Sequence, residues 1–462
     1  MTSIRKAVVI GLDCAEPSLV FDQWRDELPN LSALMQRGRW GNLESCMPPI
    51  TVPAWSCMAT GRDPGTLGVY GFRNRADHSY ENLRIATNLE VREPRVWDRL
   101  SAAGRDSIIV GVPQTFPITQ RPRGALVTCF LTPSIESEYT SPPELKSEIA
   151  GVVGEYMVDV AGFRTDDKRW LLDQIYEMTA RRFKLCRHFL TTHPWDLFWM
   201  VEMGTDRIHH GFWQFMDRRH HRHTPGNEFE NAIREYYRFI DARIGELLAL
   251  INPAETLVAI VSDHGAKRMD GGLCFNDWLI REGLLVMKTP VTERRKFEFK
   301  DVDWPRTQAW GEGGYYGRLF INKAGREPHG VVAPADYEAL RNRLIAKIEA
   351  LRDHEGRPMG NRAYRPEAIY QSVNGVPPDL IVIFGDMHWR SVGTIGNPDI
   401  YTFENDTGPD DANHAQQGMY IMSHASLRPG RHDASIYDIA PTLHAALGLS
   451  GLENARGRSL LL

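Results

Sequence analysis

The stretch Ala7-Val8-Val9-Ile10-Gly11-Leu12-Asp13 decides the fold. A continuous run of β-branched and apolar residues, without polar alternation, marks a strand covered on both faces, as at the centre of a parallel sheet. Four further runs share the pattern: Ser107-Ile108-Ile109-Val110-Gly111, Leu197-Phe198-Trp199-Met200-Val201, Leu257-Val258-Ala259-Ile260-Val261 and Leu380-Ile381-Val382-Ile383-Phe384. Helical patterns lie between them at 29–37, 95–103, 170–191, 227–250 and 336–352. Strands alternating with helices predict a doubly wound α/β fold, a mostly parallel central sheet flanked by helices. Segments 115–169 and 288–377 break the rhythm. The first is rich in Pro, Ser and Glu; the second carries charge, Gly and Pro around one helix. The expectation is a single domain over 1–462, with these two segments inserted as a cap.

Composition narrows the function. The chain has 462 residues, 42% hydrophobic and 24% charged, which excludes bulk disorder and allows a large core. Lys+Arg 54 against Asp+Glu 59 leaves a net charge of −5. No global basic field exists to drive nucleic-acid or membrane binding, which leaves only a local patch for either. No apolar stretch approaches the roughly 18 residues of a membrane span. The apolar run at 7–12 is too short for a signal peptide and has no cleavage site after it. The six cysteines are scattered without a CxxC pair. That disfavours a disulfide framework and a thiolate zinc site, and points to a reduced, cytoplasmic protein.

In an open α/β sheet the site lies beyond the carboxyl ends of the strands. Asp13 follows the first run and Asp263-His264-Gly265 follows Val261. Asp206 and His210 follow Val201, four residues apart, so one helical turn puts both on one face. Asp and His converging at strand ends suit a divalent metal such as zinc, manganese or iron. Taken singly, each reads as a cap, a turn or a solvated side chain; weight comes from all three falling at strand ends of one sheet. A second element is Pro48-Pro49-Ile50-Thr51-Val52-Pro53-Ala54-Trp55. Its prolines fix an extended approach, and Pro53 can open a helix. That places the Thr51 hydroxyl at a helix N-terminus, where free N–H groups and the dipole favour an anion. Thr51 alone reads as an N-cap, a role compatible with that of a nucleophile.

The ordered set GLD, TxPAW…TG, DxxxH, SDHG and a late His resembles the alkaline phosphatase superfamily. It is most similar to the type I phosphodiesterase/nucleotide pyrophosphatase branch and to bacterial relatives described as predicted phosphohydrolases or phosphomutases. Residues 47–64, 262–285 and 436–443 also carry the likeness. The resemblance implies two metal ions, zinc above all, with manganese or iron as alternatives. Asp13, Thr51, Asp263 and His264 match the ligands of one ion, and Asp206, His210 and His414 those of the other. Local context alone would leave His414 a solvated loop residue. Thr51 matches the nucleophile. Coordination would lower its hydroxyl pKa, and two ions about 3.5–4 Å apart could hold the attacking and leaving oxygens. The implied reaction is double displacement through a phosphothreonine ester, which water then hydrolyses.

Three departures stand out. The sulfatase motif C/S-x-P-x-R is replaced by Thr51, Pro53 and Trp55, so formylglycine chemistry is excluded. Where nucleotide pyrophosphatases place a phosphoryl-binding Asn, this chain has Phe72; Asn74, Arg73 or the backbone are the replacements. Cys14 stands where relatives commonly have Gly. It reads as a small packed residue, with redox sensitivity or an extra metal contact as the alternative. Substrate contacts are expected from Lys267 and Arg268, and from Tyr315 and Tyr316 in a Gly-rich turn. The basic run 218–223 reads as a solvated loop or an anion site. The expected activity is a phosphodiesterase acting on nucleotide-type diesters or phosphonate esters. The alternatives are a phosphomutase or phosphotransferase, a monoesterase using Arg62, Arg73 or Arg75, and a non-catalytic binding protein.

Overall fold

The computed structural model describes residues 4–450 and 452–461. Its main sheet contains β1 (Lys6–Leu12), β2 (Arg39–Glu44), β3 (Ser107–Val110), β4 (Gly124–Val127), β5 (Thr140–Ser141), β6 (Leu197–Glu202), β7 (Thr256–Val261) and β8 (Gln417–Ser423). The spatial order is β2-β8-β7-β1-β6-β3-β4-β5. Strands β7, β1, β6, β3 and β4 are mutually parallel, whereas β8 and β5 run antiparallel to them, and β2, paired antiparallel with β8, again points the same way as β7. The apolar run at 7–12 is buried throughout, as its lack of alternation requires. Register matters most: Gly11 lies opposite both Val201 and Val261, and Leu12 opposite Glu202. Three strands therefore end at one level, and the residues that follow them emerge on one rim.

The helices include α1 (Thr51–Thr60), α2 (Lys168–Thr192), α3 (Gly204–Met216) and α4 (Ala232–Leu248). Helix α2 starts where the Asp167 side chain accepts from the Trp170 N–H. The pattern at 227–250 runs longer than the helix it forms. Asn227 donates to the Phe215 and Thr224 carbonyls and accepts from the Phe229 N–H, holding 227–231 in a turn.

The run 380–384 does not join the main sheet. Leu380–Ile383 lies in a separate antiparallel sheet ordered Ala309–Glu312, Gly317–Ile321, Leu380–Ile383, Arg362–Tyr364. A wholly apolar run reports burial on both faces, not membership of a particular sheet. Tyr337–Glu349 supplies Leu340 and Leu344 to this second core, which also holds Trp310 and Phe320. A small cluster of Ile50, Tyr70, Tyr316, Tyr370, Ile381, Ile383 and Met387 ties it to the approach to Thr51. Of segment 115–169, β4 and β5 extend the main sheet sideways, and the loop after Leu145–Val153 brings Asp159 to Arg207 and Arg164 to Asp410. No helix among the described residues is long and apolar enough to cross a membrane.

Gly11 shows why the first run reads GLD. A Cβ there would sit 2.4 Å from Trp55 Cη2 and 2.8 Å from Val201 Cγ2. The missing side chain lets the fully buried Trp55 reach the strand end, where its Nε1 donates to Asp13 Oδ2 at 2.7 Å. Overpacking by one methyl in a filled core costs about 1–3 kcal/mol. Gly11→Ala is therefore expected to lower the unfolding free energy by that amount, read as a lower urea midpoint at unchanged slope. A midpoint unchanged from wild type would show that Trp55 can yield.

Candidate metal centre

Two groups of donors meet at the rim. Asp13, Asp263 and His264 form one, with ligand atoms within 4.8 Å of one another. Thr51 Oγ1 lies 3.2 Å from His264 Nε2. Asp206, His210 and His414 form the other, again within 4.8 Å, together with Cys14. His264 stacks on His414 with ring centroids 3.8 Å apart, so the groups are neighbours. Thr51 is the first residue of α1, and Ile50 before it is extended. No side-chain cap closes this helix end, so the Thr51 hydroxyl is left to face His264 rather than its own helix. Asp206 and His210 share a face of α3. His414 arrives on a two-stranded antiparallel sheet in which Ala412–Ala415 pairs with Gly265–Arg268, Ala266 opposite His414. Because the first of these strands begins at Gly265, the chain segment bearing His264 also positions His414.

Each donor is oriented by an atom it does not offer. Asp13 accepts from Trp55 at Oδ2, leaving Oδ1 buried without a hydrogen-bond donor. Asp263 Oδ1 accepts from the Cys14 N–H at 3.2 Å, leaving Oδ2 in the same condition. The Nδ1 atoms of His264, His414 and His210 face the Gly265 carbonyl at 3.1 Å, the Pro49 carbonyl at 2.9 Å and Asp410 Oδ1 at 2.7 Å. All three Nε2 atoms then point inward. The Asp206 oxygen opposite its inward Oδ1 pairs with Arg207, whose guanidinium also binds both oxygens of Asp159.

The electrostatics call for cations. Burial pushes the Asp13 carboxyl well above its usual range, and Asp263 and Asp206 add repulsion. Burial raises Asp263 likewise. Burial opposes ionisation of Asp206 too, but His210 and Arg207 outweigh it and hold that carboxyl low. Burial lowers His264 to about 4 and holds His414 well below its ordinary value, so both rings are neutral and able to ligate. His210 differs: burial would lower it, yet Asp410 and Asp206 lift it to about 10. Orphaned, buried carboxylate oxygens beside inward imidazole nitrogens fit a divalent ion.

The expected substrate residues divide. Tyr315 lies over the second group, stacked on His210 at 5.1 Å and tilted on His414 at 4.4 Å. Its hydroxyl donates to Asp410 Oδ2 at 3.0 Å and accepts from Arg164 Nη2 at 2.7 Å. Asn74 is committed to its own turn, accepting from the Tyr70 N–H and donating to the Gly71 carbonyl. Arg73 is exposed. Lys267 is opposite Asn413, one residue out of phase with His414, and its Nζ binds Asp386 at 2.9 Å. Arg268 pairs with Asp270. The Tyr316 hydroxyl is spent on the Tyr70 carbonyl. Arg62 and Arg75 pair with Glu93 and Glu327. In the run 218–223, Arg219 pairs with Asp217 and Arg218 reaches Glu230.

Trp55, Asp410, Arg164 and Arg207 were not singled out from sequence as parts of the site. Trp55 stood inside a quoted motif, and Asp410 lies four residues before His414. Nothing local marks Arg164, whose partners are distant in sequence, whereas Arg207 adjoins Asp206 in the chain and reaches Asp159 only through the fold.

A family model described as type I phosphodiesterase / nucleotide pyrophosphatase matches residues 7–410. The match stops four residues short of His414. Among solved structures, human ectonucleotide pyrophosphatase / phosphodiesterase 5 is similar at 13% identity and a TM-score of 0.56, covering 97% of this chain and 96% of its own. The murine protein of the same name is similar at 12% identity and a TM-score of 0.55, covering 98% and 97%. An inactive threonine-to-alanine form of the murine protein, in complex with AMP, gives the same values. No relative is found among curated protein sequences.

Asp410 joins His210, Tyr315 and Arg164. Removing an outer partner of a ligating histidine weakens metal binding about 10–100-fold. Asp410→Asn should do so in a chelator competition while the protein remains folded. Unaltered affinity would show that α3 alone orients His210.

Proposed function

Because the chain belongs to the type I phosphodiesterase / nucleotide pyrophosphatase family, we propose that it is a two-metal phosphodiesterase working by double displacement on Thr51. It is a phosphoester hydrolase, and metal dependence, nucleophile and substrate preference are the parts of this reading that go further. One observation carries it. Thr51 Oγ1 lies at the start of α1, 3.2 Å from an inward imidazole nitrogen and beside two carboxylates with orphaned oxygens.

Divalent ions held by Asp13, Asp263, His264 and Thr51, and by Asp206, His210 and His414, would supply Lewis acidity, lowering the hydroxyl pKa and offsetting phosphoryl charge. Zinc suits both donor sets; manganese and iron are the alternatives. Thr51 Oγ1 gives up its proton to solvent and attacks phosphorus. The bond from phosphorus to the departing alkoxide breaks, and the alkoxide takes a proton from solvent. Water then cleaves the phosphothreonine ester and restores the hydroxyl. The N–H groups of Thr51 and Val52 are first-turn donors without helical acceptors, placed to hold phosphoryl oxygens. They take over from the missing Asn, since Asn74 is engaged elsewhere. Tyr315 brings the second sheet onto the centre, which makes segment 288–377 the part of the cap that shapes the substrate pocket.

Diesters are favoured over monoesters on charge. A monoester carries a second negative charge and needs another cation near Thr51, but Arg62 and Arg75 are paired and Arg73 is exposed. The AMP bound to the murine structure makes nucleotide-type diesters the first natural class to try. Six free, buried cysteines favour a reducing compartment such as the cytoplasm.

The test pairs an aryl phosphate diester with the corresponding monoester. Metal-reconstituted protein should cleave the diester faster, and Thr51→Ala should lose at least about a thousandfold in kcat while keeping its metals. Activity surviving in Thr51→Ala would remove the nucleophile, and a faster monoester would reverse the substrate class. No cleavage of either ester by protein holding two metals would shift the reading to transfer onto an alcohol.

A further inference from the structure

We propose that the Cys14 sulfur is a fourth protein donor at the second centre, giving a Cys/Asp/His/His set that selects zinc for that position. The inference rests on the two-metal reading and deepens it by making the two centres chemically unlike.

Geometry is the first support. Cys14 is completely buried, and its Sγ lies within 4.8 Å of donor atoms of Asp206, His210 and His414. Those three form a compact face: His210 Nε2 is 3.2 Å from Asp206 Oδ1 and 3.3 Å from His414 Nε2, and the remaining edge is 3.8 Å. Donors about 2.0–2.2 Å from a tetrahedral ion are spaced in this way. Cys14 adds the vertex that the other three lack.

The two histidines supply an independent sign of a cation. Their Nδ1 atoms are engaged by Asp410 and by the Pro49 carbonyl. Their Nε2 atoms therefore confront each other across 3.3 Å, inside a buried pocket that also holds a carboxylate. Nitrogen can face nitrogen at that distance only with a cation between them, and a shared divalent ion fills the place that a proton takes in its absence.

The competing use of the thiol is weak. Its hydrogen bond goes to the Gly265 carbonyl at 3.4 Å, and S–H is a poor donor. Packing alone does not call for a side chain at this point. Cys14 has φ +64, a conformation that glycine adopts without strain. Its N–H already binds Asp263 Oδ1, a task that glycine would perform equally well. The other five cysteines belong to neither donor group; Cys46, for example, donates to the Pro48 carbonyl.

Ligation involves no redox change. The thiol proton passes to solvent, and a sulfur lone pair forms the bond to the divalent ion. Soft thiolate favours zinc, while the carboxylate-rich first centre, with one imidazole and a hydroxyl, also accepts manganese. Substrate oxygen would then enter the second centre as a fifth ligand.

Zinc-edge X-ray absorption on the zinc-loaded protein tests this, with metal content measured on the same sample. Two zinc ions per chain should be present, with a sulfur shell at about 2.3 Å corresponding to one sulfur for every two zinc ions. The shell should vanish in Cys14→Gly, which relieves the backbone and should fold. Wild type should also keep one zinc against excess manganese, a preference that falls about 10–100-fold in Cys14→Gly. Two zinc ions without a sulfur shell would overturn the inference and leave the two-metal reading standing. A sulfur shell that persists in Cys14→Gly would overturn it as well. Fewer than two zinc ions in wild type would remove the two-metal reading and this inference together. The wild-type spectrum decides even if the variant fails to fold.

Discussion

The rim is governed by the repulsion of buried carboxylates. Asp13, Asp206 and Asp263 emerge where β1, β6 and β7 end, and the shared register leaves them no way apart. All are at least 98% buried, so solvent cannot screen them. The protein offsets this only in part. Trp55 gives Asp13 a single hydrogen bond, the Cys14 N–H gives Asp263 one, and Arg207 pairs with Asp206 on the side turned from His210. Every such contact takes one oxygen and leaves another facing inward. The surrounding shell thus acts less as neutralisation than as aim, and the remaining charge is what makes the rim a place for cations.

That aim depends on contacts remote in sequence. Gly11 admits Trp55, and Trp55 holds Asp13, so strand β1 and helix α1 are fitted to each other at the point where Thr51 begins its helix. The strand after His264 pairs with the strand that carries His414, which holds the two donor groups together through a backbone ladder and again through stacked rings. The second sheet closes the arrangement. Tyr315 covers both histidines, and Tyr316 and Ile381 pack with Ile50, the residue preceding Thr51. A change in that sheet is therefore felt at Thr51 through apolar packing and at the His210 and His414 group through an aromatic ring.

Much of this was legible in the sequence, for identifiable reasons. Unbroken apolar runs at 7–12, 197–201 and 257–261 read as central strands because burial on both faces removes alternation. Strand ends then located Asp13, Asp206 and Asp263 without further information. Leu380 to Phe384 misled by the same logic, since a second sheet buries its inner strand equally well. Segment 115–169 looked like an insertion because its strands are two and four residues long, too short to show periodicity. The substrate residues were hardest. Lys267 and Asn74 have suitable chemistry, but a one-residue step on a strand turns Lys267 to Asp386, and a local turn consumes Asn74. Arg164 and Arg207 gain meaning only from Tyr315, Asp410 and Asp159, partners that folding brings to them.

Charge balance connects the metal shell with the substrate. On the proposed two-metal reading the carboxylates facing the ions would number three, Asp13, Asp263 and Asp206, and the inferred Cys14 thiolate would bring the ligand charge to that of two divalent ions. The outer groups add little, because Arg207 is offset by Asp159, and Asp410 by Arg164. A centre so balanced attracts a substrate through directed coordination and the N-terminal end of α1 rather than through excess positive charge. A singly charged diester needs nothing more, whereas a doubly charged monoester would leave one charge uncompensated in a buried pocket. The ionic shell and the lack of a free arginine beside Thr51 thus point to one substrate class for a single electrostatic reason.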